Sequence, residues 1–143
     1  MKYESVHTIR DFYDGVRSGT ADFNGLPHYF SCPFDVAVDD YADGFQLFPV
    51  TAEFMGRELQ HWTIYRTWES KFHRGLVAPE THPGHGGIDA EYDELARWLD
   101  GLIGSLEPLS GLQHGIFRPL SDQDSLPAGV LRKLEVGWSP VSA

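Results

Sequence analysis

Along the first 48 residues, apolar positions fall in short runs separated by turn residues, the pattern of strands. Val6 to Tyr13 is the first predicted strand, with Val6, Ile9, Phe12 and Tyr13 supplying β-favouring content. Asp14-Gly15 and Ser18-Gly19 read as turns. Thr20 to Phe23 then leads into Asn24-Gly25, the strongest short-range hairpin signal. The returning strand is expected over His28 to Phe34, with Phe30, Cys32 and Phe34 on one face and Tyr29 and Ser31 on the other. An acidic loop from Asp35 to Gly44 precedes a further strand, Phe45 to Phe48.

The period then changes from two to 3.6. Thr51 is placed to cap a helix in which Met55, Leu59, Trp62, Tyr65, Trp68 and Phe72 form one apolar stripe, closed by Gly75. A Pro/Gly/His loop runs from Pro79 to Gly87. Asp89 opens a second helix whose core face is Tyr92, Leu95, Trp98, Leu99, Leu102 and Ile103, with Asp89 and Glu91 at its positive end. Strand character returns over Leu112 to Phe117. After the break at Pro127-Ala128-Gly129, Leu134, Val136 and Trp138 alternate with Glu135 and Gly137. Strands, two helices and strands, without β-α-β alternation, predict an α+β fold. The expected form is an antiparallel sheet of five or six strands with two helices packed on one face.

Composition sets the scale. A chain of 143 residues with 41% hydrophobic and 13% aromatic content is expected to form one domain over residues 1–143. Cys32 is the lone cysteine, so no internal disulfide exists. The start, Met1 to His7, is mixed and polar rather than signal-like, and no apolar run approaches the ~18 residues of a membrane span. A cytoplasmic location is the expectation.

Charge narrows the partner. The formal net charge is −10, which argues against nucleic acid, where affinity comes from Lys and Arg on phosphates. No base lies between Arg17 and Arg57, while Asp35, Asp39, Asp40 and Asp43 all do. A second base-free stretch separates Arg74 from Arg97. These four aspartates are the candidate binding residues, and their partner would be a basic protein. Solubility alone also accounts for an acidic surface.

Candidate chemistry is sparse. Glu69 and His73 are one helical turn apart, and His82 or His85 in the following loop could supply a third ligand, leaving a position open for water as catalytic zinc sites do. No cofactor is expected from the sequence; zinc or a similar ion is the alternative, held by this set in a small metal-dependent hydrolase. The same pair is also an ordinary i,i+4 surface contact. The longer row His61, Tyr65, Glu69, His73 spans about 18 Å at 1.5 Å per residue, too far for one site. It reads as the wet edge of a helix, or as adjacent acid–base pairs. Asp39 to Gly44 begins like a calcium loop but has Tyr41 at the third position and Val50 at the twelfth. Cys32 and His28 are about 13 Å apart along a strand, which leaves Cys32 as a small buried hydrophobe. Nucleophile elbows, phosphate loops and dinucleotide fingerprints are lacking.

The stretch Asp11-Phe12-Tyr13-Asp14-Gly15-Val16-Arg17-Ser18-Gly19-Thr20-Ala21-Asp22-Phe23-Asn24-Gly25-Leu26-Pro27-His28-Tyr29-Phe30 resembles the N-terminal segment of small uncharacterised bacterial proteins, with a fainter similarity into the helix carrying Trp62 and Trp68. The resemblance implies a bacterial origin and carries no activity or site residue. The sequence thus points first to an acidic protein-binding module of the immunity or inhibitor type, and second to the hydrolase.

Overall fold

Asn24 and Gly25 form the predicted hairpin turn, and the sheet is laid out from it. Their φ angles are 53° and 79°, the positive values that let a two-residue turn follow the strand twist. Their amides donate to the Glu4 carboxylate at 3.1 and 2.7 Å. On either side, β2 (Val16–Phe23) and β3 (Leu26–Ser31) pair from Phe23 opposite Leu26 to Ser18 opposite Ser31.

The computed structural model describes residues 1–120 and 133–142, in two compact units. The break predicted at Pro127-Ala128-Gly129 lies outside the described residues. The first unit holds residues 1–51, 106–120 and 133–142; the second holds 52–105. The protein is α+β, with a six-stranded antiparallel sheet and two helices.

In the first unit, β1 (Tyr3–Phe12) pairs with β2, and the sheet continues through β8 (Leu134–Pro140) to β7 (Gln113–Pro119). On the other side of β3 lies β6 (Gln46–Pro49), giving the order β6-β3-β2-β1-β8-β7. The two outer strands then meet. Phe45 and Gln113 exchange both backbone hydrogen bonds, at 2.8 and 3.0 Å, and Leu109 donates to the Leu47 carbonyl at 2.7 Å. The sheet is therefore curled toward closure.

Inside the curl, Phe30, Phe45, Phe117 and Trp138 touch one another in all six pairings, with ring centroids 5.5 to 5.9 Å apart. Most of these contacts are edge-to-face, the arrangement favoured by the ring quadrupoles. Gly115 makes room for them: a Cβ there would lie 2.9 Å from the Trp138 ring and 3.2 Å from that of Phe45. Several buried polar groups on the sheet are paired. Thr8 and Thr20 join hydroxyls at 2.7 Å, and Ser18 donates to Asp11 at 2.8 Å. The Trp138 indole donates to the Asp22 carbonyl at 3.0 Å, while His7 and the Asp22 carboxylate meet at 2.8 Å.

Two local expectations are corrected. Ser18-Gly19 is not a turn but the buried middle of β2. Glycine is required there because a Cβ would collide with the Thr8 backbone oxygen. The strand expected over His28 to Phe34 stops at Ser31. Pro33 has no N–H for the ladder, and Phe34 restarts in a separate two-stranded hairpin, β4 (Phe34–Asp35) with β5 (Asp40–Tyr41). Phe34 is therefore exposed and does not share a core face with Phe30.

The second unit is a helical pair. α1 (Ala52–His73) begins directly after Thr51 and ends as expected at Gly75, whose φ is 75°. Gly75 N donates to Phe72 O and Leu76 N to Lys71 O, the paired bonds that satisfy the last carbonyls of a helix. The Pro/Gly/His loop is two 3-10 turns, Pro79–Thr81 and Pro83–His85. α2 (Ala90–Ile103) is capped by Asp89, whose carboxylate accepts from Tyr92 N at 2.9 Å. The helices join through His61 stacked on Tyr92, with centroids 4.1 Å apart, and Arg57 placed 4.5 Å over the Trp98 ring. The apolar stripe predicted for α1 is only partly buried. Leu59 is 41% exposed, and the most buried positions are Phe54, Met55, Glu58 and Glu69. α2 buries Leu95 and Leu99 as predicted.

Gly115→Ala should destabilise the protein by about 1–3 kcal/mol through overpacking. Gly56→Ala should stabilise it by about 1 kcal/mol, since Gly56 lies exposed within α1 with nothing within 4 Å of an added Cβ. Denaturant melts of both variants check this; an unchanged midpoint for Gly115→Ala would show that the four rings have slack.

Candidate functional site

The chain between Cys32 and Gly44 connects two paired strands, β3 and β6, so its ends are held close together. Within it, the sequence reading expected a loop, and the structure places an ordered tip. Ala42 N donates to Pro33 O at 2.8 Å, and the Cys32 thiol donates to Ala42 O at 3.3 Å. Asp35 accepts from Ala37 N at 2.9 Å and Asp40 from Tyr41 N at 2.7 Å, bonds by which aspartate shapes a turn. Asp39 sits at φ 53°, a conformation that aspartate tolerates better than most residues.

Asp35, Asp39, Asp40 and Asp43 are all exposed. The tip brings the four predicted binding residues together on one short hairpin and its exit. The end of β1 and the adjoining β1–β2 turn add exposed Asp11 and Asp14. It is fastened to the tip by Arg17, whose guanidinium lies 4.0 Å over the Tyr41 ring and donates to the Tyr13 and Asp14 carbonyls at 2.8 and 3.2 Å. Rings continue the contact, with Tyr13 6.3 Å and Phe34 5.2 Å from Tyr41.

Sequence reasoning missed the apolar part of this surface. Tyr13 is 71% exposed, Val36 84% and Val38 67%, and Phe12 and Phe34 are also open to solvent. The available signal was Val36 and Val38 inside an acidic run.

Cys32 lies beneath the tip. Burial, reinforced by the negative charges of Asp43 and Asp40, pushes its thiol up, against the lowering influence of Arg17. A thiol held protonated is a poor nucleophile, in keeping with its role as a small buried group.

The residues considered for metal are arranged differently. Glu69 is 4% exposed, so the row His61, Tyr65, Glu69, His73 is not a wet edge at its centre. One Glu69 oxygen meets Arg66 Nη1 at 2.6 Å and the other accepts from the Tyr65 hydroxyl at 3.2 Å. These contacts offset the cost of burying a carboxylate. His73 packs edge-on against Phe72. His82 Nδ1 accepts from Gly84 N at 2.8 Å, and its ring lies 4.5 Å from Trp68 and 5.6 Å from His85. Burial first, and then His85, lower the His82 pKa and favour the neutral ring. Among the described residues, no group of three or more His, Cys, Asp or Glu has the geometry to hold a metal ion.

Comparison of the chain with protein-family models, with curated proteins and with solved structures finds no match in any of the three.

The Tyr65–Glu69 pair is open to measurement. Burial, then the Glu69 charge and hydrogen bond, raise the Tyr65 pKa to about 12. With the folded value above the unfolded one, the protonated phenol stabilises the fold fully below pH 10, and that contribution is lost as pH rises from about 10 to 12. The ultraviolet titration difference between the wild type and Tyr65→Phe should show this late tyrosine. In a Glu69→Gln background it should titrate at lower pH. A Tyr65 midpoint near 10 in the wild type would contradict the pairing.

Proposed function

We propose that this protein is a binding module of the bacterial cytoplasm that docks on a basic protein partner through its acidic tip, in the manner of an immunity or inhibitor protein. The observation that carries this reading is the tip itself: Asp35, Asp39, Asp40 and Asp43 stand exposed on a hairpin fastened by Arg17. The tip lies in a 39-residue stretch, 18–56, without a Lys or Arg. Arg17, the base that precedes this stretch, is turned onto Tyr41 and two carbonyls.

A surface of one sign accelerates encounter with a partner of the opposite sign and rejects like-charged ones. Ordering the aspartates before binding lowers the entropy lost on association. The same charge disfavours nucleic acid. No helix among the described residues is long and apolar enough to cross a membrane.

The test uses an unstructured peptide of alternating lysine and serine, followed by amide chemical shifts. The peptide should perturb Asp35 to Asp43 ahead of the second acidic stretch at Glu91 to Glu94, and binding should weaken as salt rises. Asp35→Asn, Asp39→Asn, Asp40→Asn and Asp43→Asn together should reduce affinity about tenfold, since exposed charge pairs contribute roughly 0.2–1 kcal/mol each. Salt-independent binding, or binding that ignores the four substitutions, would overturn the reading.

A further inference from the structure

Acids alone account for attraction to a basic surface, but not for the apolar side chains that share the tip. Phe12 and Tyr13, at the end of β1 and in the turn after it, and Phe34, Val36 and Val38, on the β4–β5 hairpin, are all exposed apolar side chains. Tyr13 and Phe34 both contact Tyr41, which ties the two turns into one surface. Val36 and Val38 stand in the turn between β4 and β5. Contacts with Arg17, Pro33 and Cys32 hold the backbone in place. Scattered apolar residues on a surface are ordinary, whereas a contiguous set rimmed by polar groups marks an interaction site.

Resting on the docking reading above, we infer that these side chains form an apolar knob that enters a recess on a basic protein partner, with the surrounding aspartates pairing to Lys and Arg at its rim. Charge selects this occupant over the others. A second copy of the chain docking tip to tip would set Asp35, Asp39, Asp40 and Asp43 against their own counterparts. An anionic bilayer would repel the same aspartates. A partner with lysine or arginine around an apolar recess satisfies both parts of the surface, in the arrangement of an apolar centre and a polar rim common to protein interfaces.

Two peptides of equal length and charge separate the knob from the acids. One is the lysine/serine peptide; the other is an amphipathic lysine/leucine peptide. Titrated calorimetrically against the whole protein, the leucine peptide should bind at least about tenfold more tightly, as expected when a few exposed apolar side chains become buried. Val36→Ser with Val38→Ser, at exposed turn positions, should narrow that difference and leave the lysine/serine affinity unchanged. Equal affinities of the two peptides for the wild type, with the tip still perturbed, would overturn the knob and leave acidic docking standing. Failure of both peptides to perturb the tip would overturn both. Binding to phosphatidylcholine vesicles in preference to the leucine peptide would assign the knob to a lipid surface instead. A concentration-dependent dimer in sedimentation velocity, lost in the valine variant, would assign it to a second copy.

Discussion

The sheet depends on four aromatic rings. Phe30 on β3, Phe45 just before β6, Phe117 on β7 and Trp138 on β8 meet at one point, although Phe30 and Trp138 are more than a hundred residues apart in the chain. Their mutual contact accompanies the bridge between Phe45 and Gln113, where the outer strands converge. Each such pair adds about 0.5–1.5 kcal/mol beyond simple area burial. The same rings fill the interior of the curl, and Gly115 gives up its side chain to admit them. With the interior filled by side chains, exposed groups remain on the connections and rims, where binding residues of such scaffolds commonly lie.

The proposed docking role rests on the excursion between β3 and β6. Its ends are held by ladder hydrogen bonds, while its middle turns outward because Pro33 ends β3 and the aspartates favour turns. Arg17 provides the local organising contact, bridging the β1–β2 turn and Tyr41. Its charge is therefore directed into the structure. What faces solvent is acidic and apolar together, a combination that solubility alone does not require.

The helical unit poses a different physical problem. α1 buries two glutamates, Glu58 and Glu69, on a helix whose sequence places large aromatics at helical spacing. Glu69 is stabilised within its own helix by Arg66 three residues earlier and Tyr65 four residues earlier. Trp62, Tyr65, Trp68 and Phe72 remain only half-buried and pack against one another along the helix. Aromatic spacing thus identifies the helix correctly while misplacing its most buried line.

The sequence by itself determined what local chemistry dictates. Asn24-Gly25 specified a hairpin, Asp89 a helix start, Gly75 a helix end, and the change from period two to 3.6 an α+β fold. Asp35, Asp39, Asp40 and Asp43 were recognisable as a candidate site because an absence of bases is visible in one dimension. Tertiary structure decided whatever depends on neighbours distant in the chain. Gly19 belongs in a strand, not a turn, because the Thr8 backbone lies against it. Val36, Val38 and Phe34 are left in solvent because, among the described residues, no strand covers them. Periodicity marks a residue as suited to burial, but only the packing of remote segments determines which of those residues is covered and which is presented.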